Sequence, residues 1–518
     1  MIYMETKKGF MRYGAIRCLC VLLTMATLAV VAGCDDEEQF TLNQNAALEF
    51  EMDTVRFDTV LTRTDSPTKR FKVYNRNKEG IRIAAVRLMS NGASGFRINV
   101  DGHSGTVLTD VEVLANDSLF LFAEITPNLQ GTQLPVLLTD TIQFELESGR
   151  RQQIILEAFG QDVRIIHGET FTADTTLTAE LPYLIFDSIM VAPGTTLTIE
   201  PGTTLYFHND AWMGVRGTCV CNGTLEENIV FRGDRTDRIF PYLPYDRLQS
   251  QWGGIVLFKE SHENSFTYVD IHSGNYGIVC EPTDSLDQQI KFTLHNSMIH
   301  NVSGYGLFMC DCNGIVTNSQ ISNAGSDCVC VVGGTCEITH STIAQCYPWS
   351  SDHGYALRFA NMDDEEKPHP LLQLTVTNSI VTGNGADEIA GSKAENDDVA
   401  FNVSFRNCLI NIETSDDDPD FVKQMFVDCT NEWTLIKDYR DWLKQHPNSK
   451  EKEQPVFGAR NFRTVDYDNF VFDFRLDSLS NARGIGQAEA VSLLPKDREG
   501  IERPNDKPDA GCYQFASN

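Results

Sequence analysis

The chain has 518 residues and carries 72 acidic against 42 basic residues, which gives a net charge of −30. This length has room for two or three domains with a large core. So acidic a protein is repelled by nucleic acid and by anionic lipid, so the composition argues against nucleic acid as a partner. It also argues against a polyanionic substrate, unless calcium or a local basic patch intervenes.

The N-terminus combines basic residues with a short apolar run that ends at Val31–Cys34. The run is shorter than a typical membrane span. Its end resembles the lipobox of bacterial lipoproteins. The resemblance implies a signal peptide at 1–33, acylation of Cys34 by palmitate-type chains, an outer-membrane bilayer as partner and exposure on the cell surface. An ordinary signal peptide with a chance cysteine is the alternative, and in both cases 34–47 is predicted to be an acidic, flexible tether.

Residues 48–162 contain short segments in which apolar and polar side chains alternate, as in Phe96–Val100 and Ile142–Leu146. Six or seven such segments at this spacing predict an all-β sandwich. The domain resembles the immunoglobulin-like modules of surface proteins. A spacer role is the prediction, and a ligand-binding module is the alternative.

One short motif then recurs, with Asn296, Asn318 and His340 at equivalent positions 22 residues apart. A fixed period of this size indicates a solenoid. The copies, including two at wider spacing, are Leu294–Ile299, Val316–Ile321, Ile338–Ile343, Val376–Val381 and Phe405–Ile410.

Each copy is predicted to be two short strands that meet at a corner occupied by Asn, which tolerates a left-handed backbone. A third strand starts eleven residues after the Asn, at Leu307 and Val329. Three strands per 22 residues fit one coil, and the pattern resembles the right-handed parallel β-helix of pectate-lyase-like proteins. The resemblance covers about 163–415 and implies a fold, not an activity, because that fold carries lyases, hydrolases, adhesins and inert binding surfaces alike.

Residues 416–518 break the repeat. Trp433, Tyr439 and Trp442 fall at helical spacing, which predicts an amphipathic helix. The last stretch resembles the closing segment of bacterial surface β-helix proteins. We therefore expect a C-terminal cap that contains a short helix and protects exposed strand edges.

Twelve cysteines lie at or beyond Cys219, several as Cys-x-Cys pairs such as Cys310 and Cys312. Structural zinc usually requires Cys-x2-Cys spacing, so stacked small apolar side chains are the preferred interpretation and no metal site is predicted. Disulfides between coils remain an open alternative.

Pectate-lyase-like enzymes place carboxylates and a basic residue on one outer strand face and its flanking loops. The outward row Val256, Val279, Phe308 contains no carboxylate, and the row that begins at Asp270 contains one. This favours a non-catalytic protein. If the protein is an enzyme, the candidates at corners and nearby positions, with calcium as the only cofactor considered, are Lys259, Glu260, Glu281, Asp311 and Arg358.

Two insertions carry aromatic and polar residues, which suit sugars because C–H faces stack on rings while hydroxyls form hydrogen bonds. The alternative is that the rings pack the loops onto the coils. The predicted ligand-binding residues are Tyr242, Tyr245, Trp252, Trp349, Asp352 and His353. The sequence thus predicts a surface lipoprotein for glycan binding or adhesion, with a polysaccharide lyase or glycoside hydrolase and a purely structural protein as alternatives.

Overall fold

The computed structural model describes residues 38–283, 289–415, 417–446 and 454–516. The predicted signal peptide and Cys34 lie outside these ranges. Within them, no helix has the length and apolar character needed to cross a bilayer. The described residues form two compact units: one holds 38–57, 64–128 and 137–158, and the other holds 58–63, 129–136 and the described residues from Phe159 onward.

The N-terminal domain is a β-sandwich of two five-stranded sheets with strand orders β1-β3-β8-β5-β6 and β2-β10-β9-β4-β7. Inward side chains such as Val73 and Phe144 are fully buried, as the predicted alternation requires. The sandwich has more strands than expected, because edge strands such as β7 are mostly exposed and carry only a weak apolar alternation. The strands are β1 (Glu49–Phe50), β2 (Thr54–Leu61), β3 (Lys69–Tyr74), β4 (Ile81–Leu88), β5 (Phe96–Val100), β6 (His103–Gly105), β7 (Val107–Val113), β8 (Ser118–Ile125), β9 (Val136–Leu146) and β10 (Arg151–Gln161).

The second unit is a right-handed parallel β-helix with three parallel sheets, which we call A, B and C. Two long strands, β11 (Arg164–Phe171) and β13 (Tyr183–Val191), begin it and pair along both sheets B and C.

Sheet A contains one strand from each coil. Its strands are β12 (Thr175–Leu177), β14 (Thr196–Ile199), β17 (Thr218–Asn222), β22 (Asn264–Thr267), β25 (Phe292–His295), β28 (Asn313–Thr317), β31 (Gly334–Thr339), β34 (Leu371–Thr377), β37 (Phe401–Arg406) and β39 (Phe426–Val427).

Sheet B follows sheet A after the asparagine corner. Its remaining strands are β15 (Thr204–Phe207), β18 (Ile229–Gly233), β23 (Val269–His272), β26 (Met298–Val302), β29 (Gln320–Ala324), β32 (Thr342–Gln345), β35 (Ile380–Gly383), β38 (Leu409–Ile410) and β40 (Thr430–Asn431).

Sheet C closes each coil. Its remaining strands are β16 (Trp212–Val215), β21 (Ile255–Leu257), β24 (Ile278–Cys280), β27 (Leu307–Cys310), β30 (Val329–Val332), β33 (Leu357–Ala360) and β36 (Ile389–Ser392).

The predicted asparagine corners are confirmed. Asn296, Asn318 and Asn378 have φ of 51°, 48° and 47°, and His340 takes the same conformation at 47°. Small residues follow each corner and stack inside the coil, where the backbone N–H of Ser319 donates to the Ser341 hydroxyl at 3.3 Å. The left-handed residue turns the chain from sheet A to sheet B with little strain, because Asn adopts this conformation more readily than most other side chains.

Three insertions between strands, together with the C-terminal segment, add to the regular coils of the β-helix. The first insertion, 232–251, contains β19 (Arg238–Phe240) and β20 (Leu243–Pro244). It follows a strand of sheet B, as does the second insertion at 347–353, whereas the third, 361–371, follows β33 of sheet C.

The C-terminal part begins with helices α1 (Asp420–Met425) and α2 (Glu432–Gln445), the latter confirming the predicted amphipathic helix. A hairpin of β41 (Phe462–Asp466) and β42 (Val471–Leu476) follows. The last residues run along the asparagine corners, where the side chain of Asn378 exchanges two hydrogen bonds with the backbone of Gln487.

Candidate functional site

Polar side chains gather on the outer face of sheet B at strands β23 and β26. Asp270 and His272 point outward from β23 because positions two apart share a face of a strand. His300 on β26 is the register partner of His272. Parallel pairing therefore places the two imidazole rings one above the other.

These residues form a connected network, which we call the Asp270 cluster and which comprises Asp246, Asp270, His272 and His300. The two nitrogens of His272 contact two carboxylates, with Nδ1 2.9 Å from Asp270 Oδ1 and Nε2 2.8 Å from Asp246 Oδ1. The Nε2 atom of His300 lies 3.1 Å from the same Asp270 oxygen. The first insertion supplies Asp246, and Arg232 contacts its carboxylate at 2.7 Å.

The charges of the cluster stabilise one another. Burial alone would lower the pKa of His272, but the attraction of Asp270 and Asp246 outweighs this effect and raises the pKa to about 9. Burial raises the pKa of Asp246, but His272 and Arg232 lower it more, to about 2. At neutral pH the cluster therefore holds a buried imidazolium between two carboxylates.

A groove of about 360 Å³ opens beside His300. We call it the sheet B groove: its floor includes His300 and Ser322, and its walls include Arg247, Phe470 and Arg475. The walls come from the first insertion and from the β41–β42 hairpin. A guanidinium nitrogen of Arg247 donates to the Asn469 carbonyl at 3.1 Å and joins the two walls.

The two aromatic insertions, which both follow strands of sheet B, contact each other. The hydroxyl of Tyr347 in the second insertion hydrogen-bonds to the side chain of Gln249 in the first. Trp349 lies 5.2 Å from the Tyr347 ring and 5.7 Å from Phe470, which belongs to the groove wall.

Trp252 is a correction to the predicted ligand-binding set. Its side chain is fully buried and stacks on Phe207 with 4.4 Å between ring centroids. Its indole N–H donates to the His272 carbonyl at 2.8 Å. Trp252 therefore belongs to the core beneath the Asp270 cluster and offers no face to a ligand.

The other predicted ligand-binding residues are dispersed. Tyr242 is half exposed and stacks on Phe240 at 5.7 Å, whereas Tyr245 packs under the guanidinium of Arg235 at 3.8 Å. Asp352 is exposed on the second insertion. His353 lines a separate cleft of about 610 Å³ next to the buried carboxyl of Glu388.

The predicted catalytic residues are divided among different partners. Glu260 pairs with Arg216 at 3.1 Å, and Asp311 contacts His369 at 2.6 Å. Arg358 projects from β33 and pairs with Asp327 at 2.6 Å. Lys259 and Glu281 follow the ends of β21 and β24 at the corner that leads to sheet A.

The register confirms the outward rows that the sequence predicted on sheets B and C. The sequence interpretation considered one outward position per strand and so missed His272 and His300. A signal was present, because Ile271-His272 and Ile299-His300 follow their corners at the same spacing. Asp246 could not be identified in the same way, because nothing local in the sequence indicates that the first insertion folds back onto sheet B.

Two groups among the described residues have ligand atoms close enough to surround a metal ion: Asp270 with both histidines, and Cys310 with Asp311 and His369. In the first group Asp270 pairs with both histidines and no thiol is present, so we describe it as an ion-pair network. The described cysteines are free thiols and most are buried, in keeping with the predicted stacking inside the coils.

Comparisons with known proteins agree with the fold. A family model for the right-handed β-helix region matches residues 185–346. A search of curated proteins finds no match.

Similar solved structures share little sequence with this chain. A mutant of the periplasmic alginate epimerase AlgG is 10% identical, over 52% of this chain and 76% of that chain, with a TM-score of 0.26. The catalytic unit of a GH87 α-1,3-glucanase from Streptomyces thermodiastaticus is 10% identical, over 70% of this chain and 88% of that chain, with a TM-score of 0.21. A PapD-like domain of human CEP192 is 8% identical, over 24% of this chain and 90% of that chain, with a TM-score of 0.17.

Proposed function

We propose that this protein binds a glycan in the sheet B groove. The observation that carries the proposal is the groove itself, which joins polar groups of the β-helix face to aromatic side chains of the hairpin. Sugars suit such a surface because their hydroxyls form hydrogen bonds while their C–H faces stack on rings.

The groove walls favour a ligand with several polar or anionic substituents. Arg475 pairs with Asp473 at 2.6 Å. Arg247 instead donates to a backbone carbonyl, and Arg498, which also lines the groove, donates to the neutral side chain of Asn228. With Arg475 they outnumber the two carboxylates of the groove, those of Asp473 and Glu499, and so provide a local basic patch on a protein of net charge −30. Such a patch is the condition under which an acidic chain accommodates an anionic sugar.

The turn of the hairpin supports a binding role. Phe470 has φ of 54°, a conformation that is unusual for a bulky side chain. Backbone strain of this kind concentrates at functional sites. Here it directs an aromatic ring to the groove wall beside Trp349.

The test is a panel of neutral and uronate-containing polysaccharides, measured by affinity-gel retention and calorimetry. His300→Gln and Phe470→Ala are expected to weaken binding by about tenfold or more, because hot-spot contacts contribute more than about 1.4 kcal/mol each. Phe120→Ala removes a partly exposed ring of the sandwich and is the matched control. If all three variants bind the polysaccharide as tightly as the wild type, the assignment of the groove is contradicted.

A polysaccharide lyase or glycoside hydrolase is the second candidate, and one observation favours it. His300 lies at the groove with one nitrogen held by Asp270, an arrangement that orients an imidazole for proton transfer. In that role His300 is the catalytic residue and Asp270 positions it. Release of unsaturated or reducing ends, abolished in His300→Gln, is the expected signature.

We further propose that the protein is a lipoprotein anchored through Cys34 and displayed at the cell surface. The support is the Val31–Cys34 motif directly after the apolar run, followed by an acidic stretch. Labelling with a palmitate analogue is expected to depend on Cys34, and Cys34→Ala is the test. Protease digestion of intact cells distinguishes a surface location from a periplasmic one.

A further inference from the structure

A second cluster of polar side chains lies away from the sheet B groove, at the corner where the chain passes from sheet C to sheet A. Strand β27 ends at Cys310, and the next residue, Asp311, forms the corner with φ of 39°. The third insertion, 361–371, brings His369 to the same place. Its Nδ1 lies 2.6 Å from Asp311 Oδ2 and 3.8 Å from Cys310 Sγ.

The three ligand atoms all lie within 4.8 Å of one another. When zinc is bound tetrahedrally at typical zinc–sulfur and zinc–nitrogen lengths, the sulfur and the nitrogen lie about 3.5 Å apart. The sulfur–nitrogen separation of 3.8 Å is close to this value. The other carboxylate oxygen, Asp311 Oδ1, is buried and has no hydrogen-bond partner among the described residues.

Space for this oxygen depends on Gly333 on the neighbouring coil. A Cβ atom at Gly333 would lie 2.3 Å from Asp311 Oδ1 and 3.0 Å from the Cβ of His369. A glycine here leaves the carboxylate and the imidazole free to approach each other. The backbone N–H of Asp311 donates to the Val332 carbonyl at 2.9 Å and fixes the corner.

The insertion is built to hold the imidazole. Asp363 Oδ2 lies 3.3 Å from His369 Nε2, the nitrogen that faces away from Cys310. Asp363 in turn accepts from the backbone N–H groups of Glu365 at 3.0 Å and Lys367 at 2.9 Å. A carboxylate on the second nitrogen of a histidine is the usual outer partner of a metal-bound imidazole.

We propose that Cys310, Asp311 and His369 bind a divalent transition-metal ion, with zinc as the first candidate, and that Asp363 positions the imidazole. Thiolate, imidazole and carboxylate together suit zinc, whereas calcium and magnesium select oxygen ligands. The ion replaces the proton of the Cys310 thiol, which is released to solvent, and His369 binds through Nδ1 as the neutral imidazole with its remaining N–H at Nε2 facing Asp363. The bound ion fastens the third insertion to the end of β27.

The test uses the full chain, stripped of metal by a chelator and titrated with zinc against a chromophoric competitor. Cobalt substitution reports the ligands, because a cysteine thiolate adds a charge-transfer band in the near ultraviolet. The wild type is expected to bind one equivalent and to show the band. Cys310→Ser is expected to lose the band, and Asp363→Asn to keep it while affinity falls about 10- to 100-fold.

Two variants serve as matched controls. Cys429→Ser removes a partly buried thiol elsewhere, and Asp364→Asn removes an exposed charge from the same insertion. Both are expected to bind zinc as the wild type does. No stoichiometric binding by the wild type, or unchanged affinity in His369→Gln when circular dichroism shows it folded, would overturn the proposal.

Discussion

His272 and His300 stack with 4.9 Å between ring centroids and 16° between ring planes. The two rings occupy equivalent positions on adjacent parallel strands, so the pairing of β23 with β26 fixes their separation. Two imidazolium ions at this distance would repel each other, and the Asp270 carboxylate that contacts both rings reduces this cost. The pairing of the two strands therefore determines which charged groups meet beside the sheet B groove.

The first prediction concerns the pH dependence of stability at this cluster. The pKa of His272 is raised from 6.5 to about 9 in the folded protein, so its contribution to stability is complete below pH 6.5 and is lost as the pH rises through 9. Replacing Asp270 by Asn removes the main attraction that raises this pKa. We expect Asp270→Asn to lower the free energy of unfolding by at most about 3 kcal/mol at pH 6, with a smaller difference from the wild type at pH 9.

The measurement is thermal or urea unfolding of both proteins from pH 6 to pH 10. His103→Gln changes an exposed histidine of the sandwich and should leave the profile unaltered. A difference between Asp270→Asn and the wild type that is constant across this range would show that His272 does not titrate as described.

The second prediction separates the core role of Trp252 from a binding role. Trp252→Ala removes a fully buried ring and is expected to lower the free energy of unfolding by about 3–5 kcal/mol. Phe240→Ala removes a ring that is 50% exposed and should change it by less than about 0.5 kcal/mol. Urea unfolding measures both, and a Trp252→Ala protein as stable as the wild type would contradict the packing described.

The sequence predicted the fold well because the physical signals are local. A 22-residue period, alternating apolar positions and a corner that requires a left-handed residue together specify the coil, and Asn296 and Asn318 adopt the expected conformation. The helix that contains Trp433 was predicted from its spacing for the same reason.

The site was harder to predict because it depends on how insertions fold back. Asp246 reaches His272 across 26 residues, and His369 reaches Asp311 across 58, with no local pattern to indicate either contact. The aromatic composition of the first insertion was visible, but it did not distinguish the buried Trp252 from the half-exposed Tyr242.

The third prediction concerns Glu388 in the cleft that His353 also lines. Burial raises the pKa of this carboxyl from 4.5 to about 8, because the ionised form is poorly solvated there. The stability associated with the neutral carboxyl is present below pH 4.5 and is lost as the pH rises through 8. Glu388→Gln keeps an acceptor for the Gly385 N–H, which lies 2.5 Å away, and removes the charge.

We expect Glu388→Gln to be more stable than the wild type by about 1–3 kcal/mol at pH 9, and to show little difference at pH 4.5. Unfolding midpoints at the two pH values test this. Asp364→Asn, an exposed change of the same charge, is the control. A variant that is less stable than the wild type at pH 9 would mean that the ionised carboxylate is held favourably by the N–H groups around it.

The last prediction compares two corner asparagines. Asn378 and Asn296 share a left-handed backbone, with φ of 47° and 51°, so alanine costs a similar backbone strain at each. Asn378 also exchanges hydrogen bonds with Gln487 of the C-terminal segment, at 2.9 and 2.8 Å, whereas the Asn296 side chain contacts its neighbour His295 at 2.9 Å. Asn378→Ala is therefore expected to destabilise the protein by about 1–3 kcal/mol more than Asn296→Ala.

Urea unfolding gives this difference, and limited proteolysis locates it. If the corner hydrogen bonds hold the C-terminal segment against the coils, Asn378→Ala should expose that segment to cleavage at protease concentrations that leave Asn296→Ala intact. Equal destabilisation and equal cleavage would show that the segment is held by its apolar contacts, such as those of the buried Cys512 and Tyr513, and not by the asparagine corners.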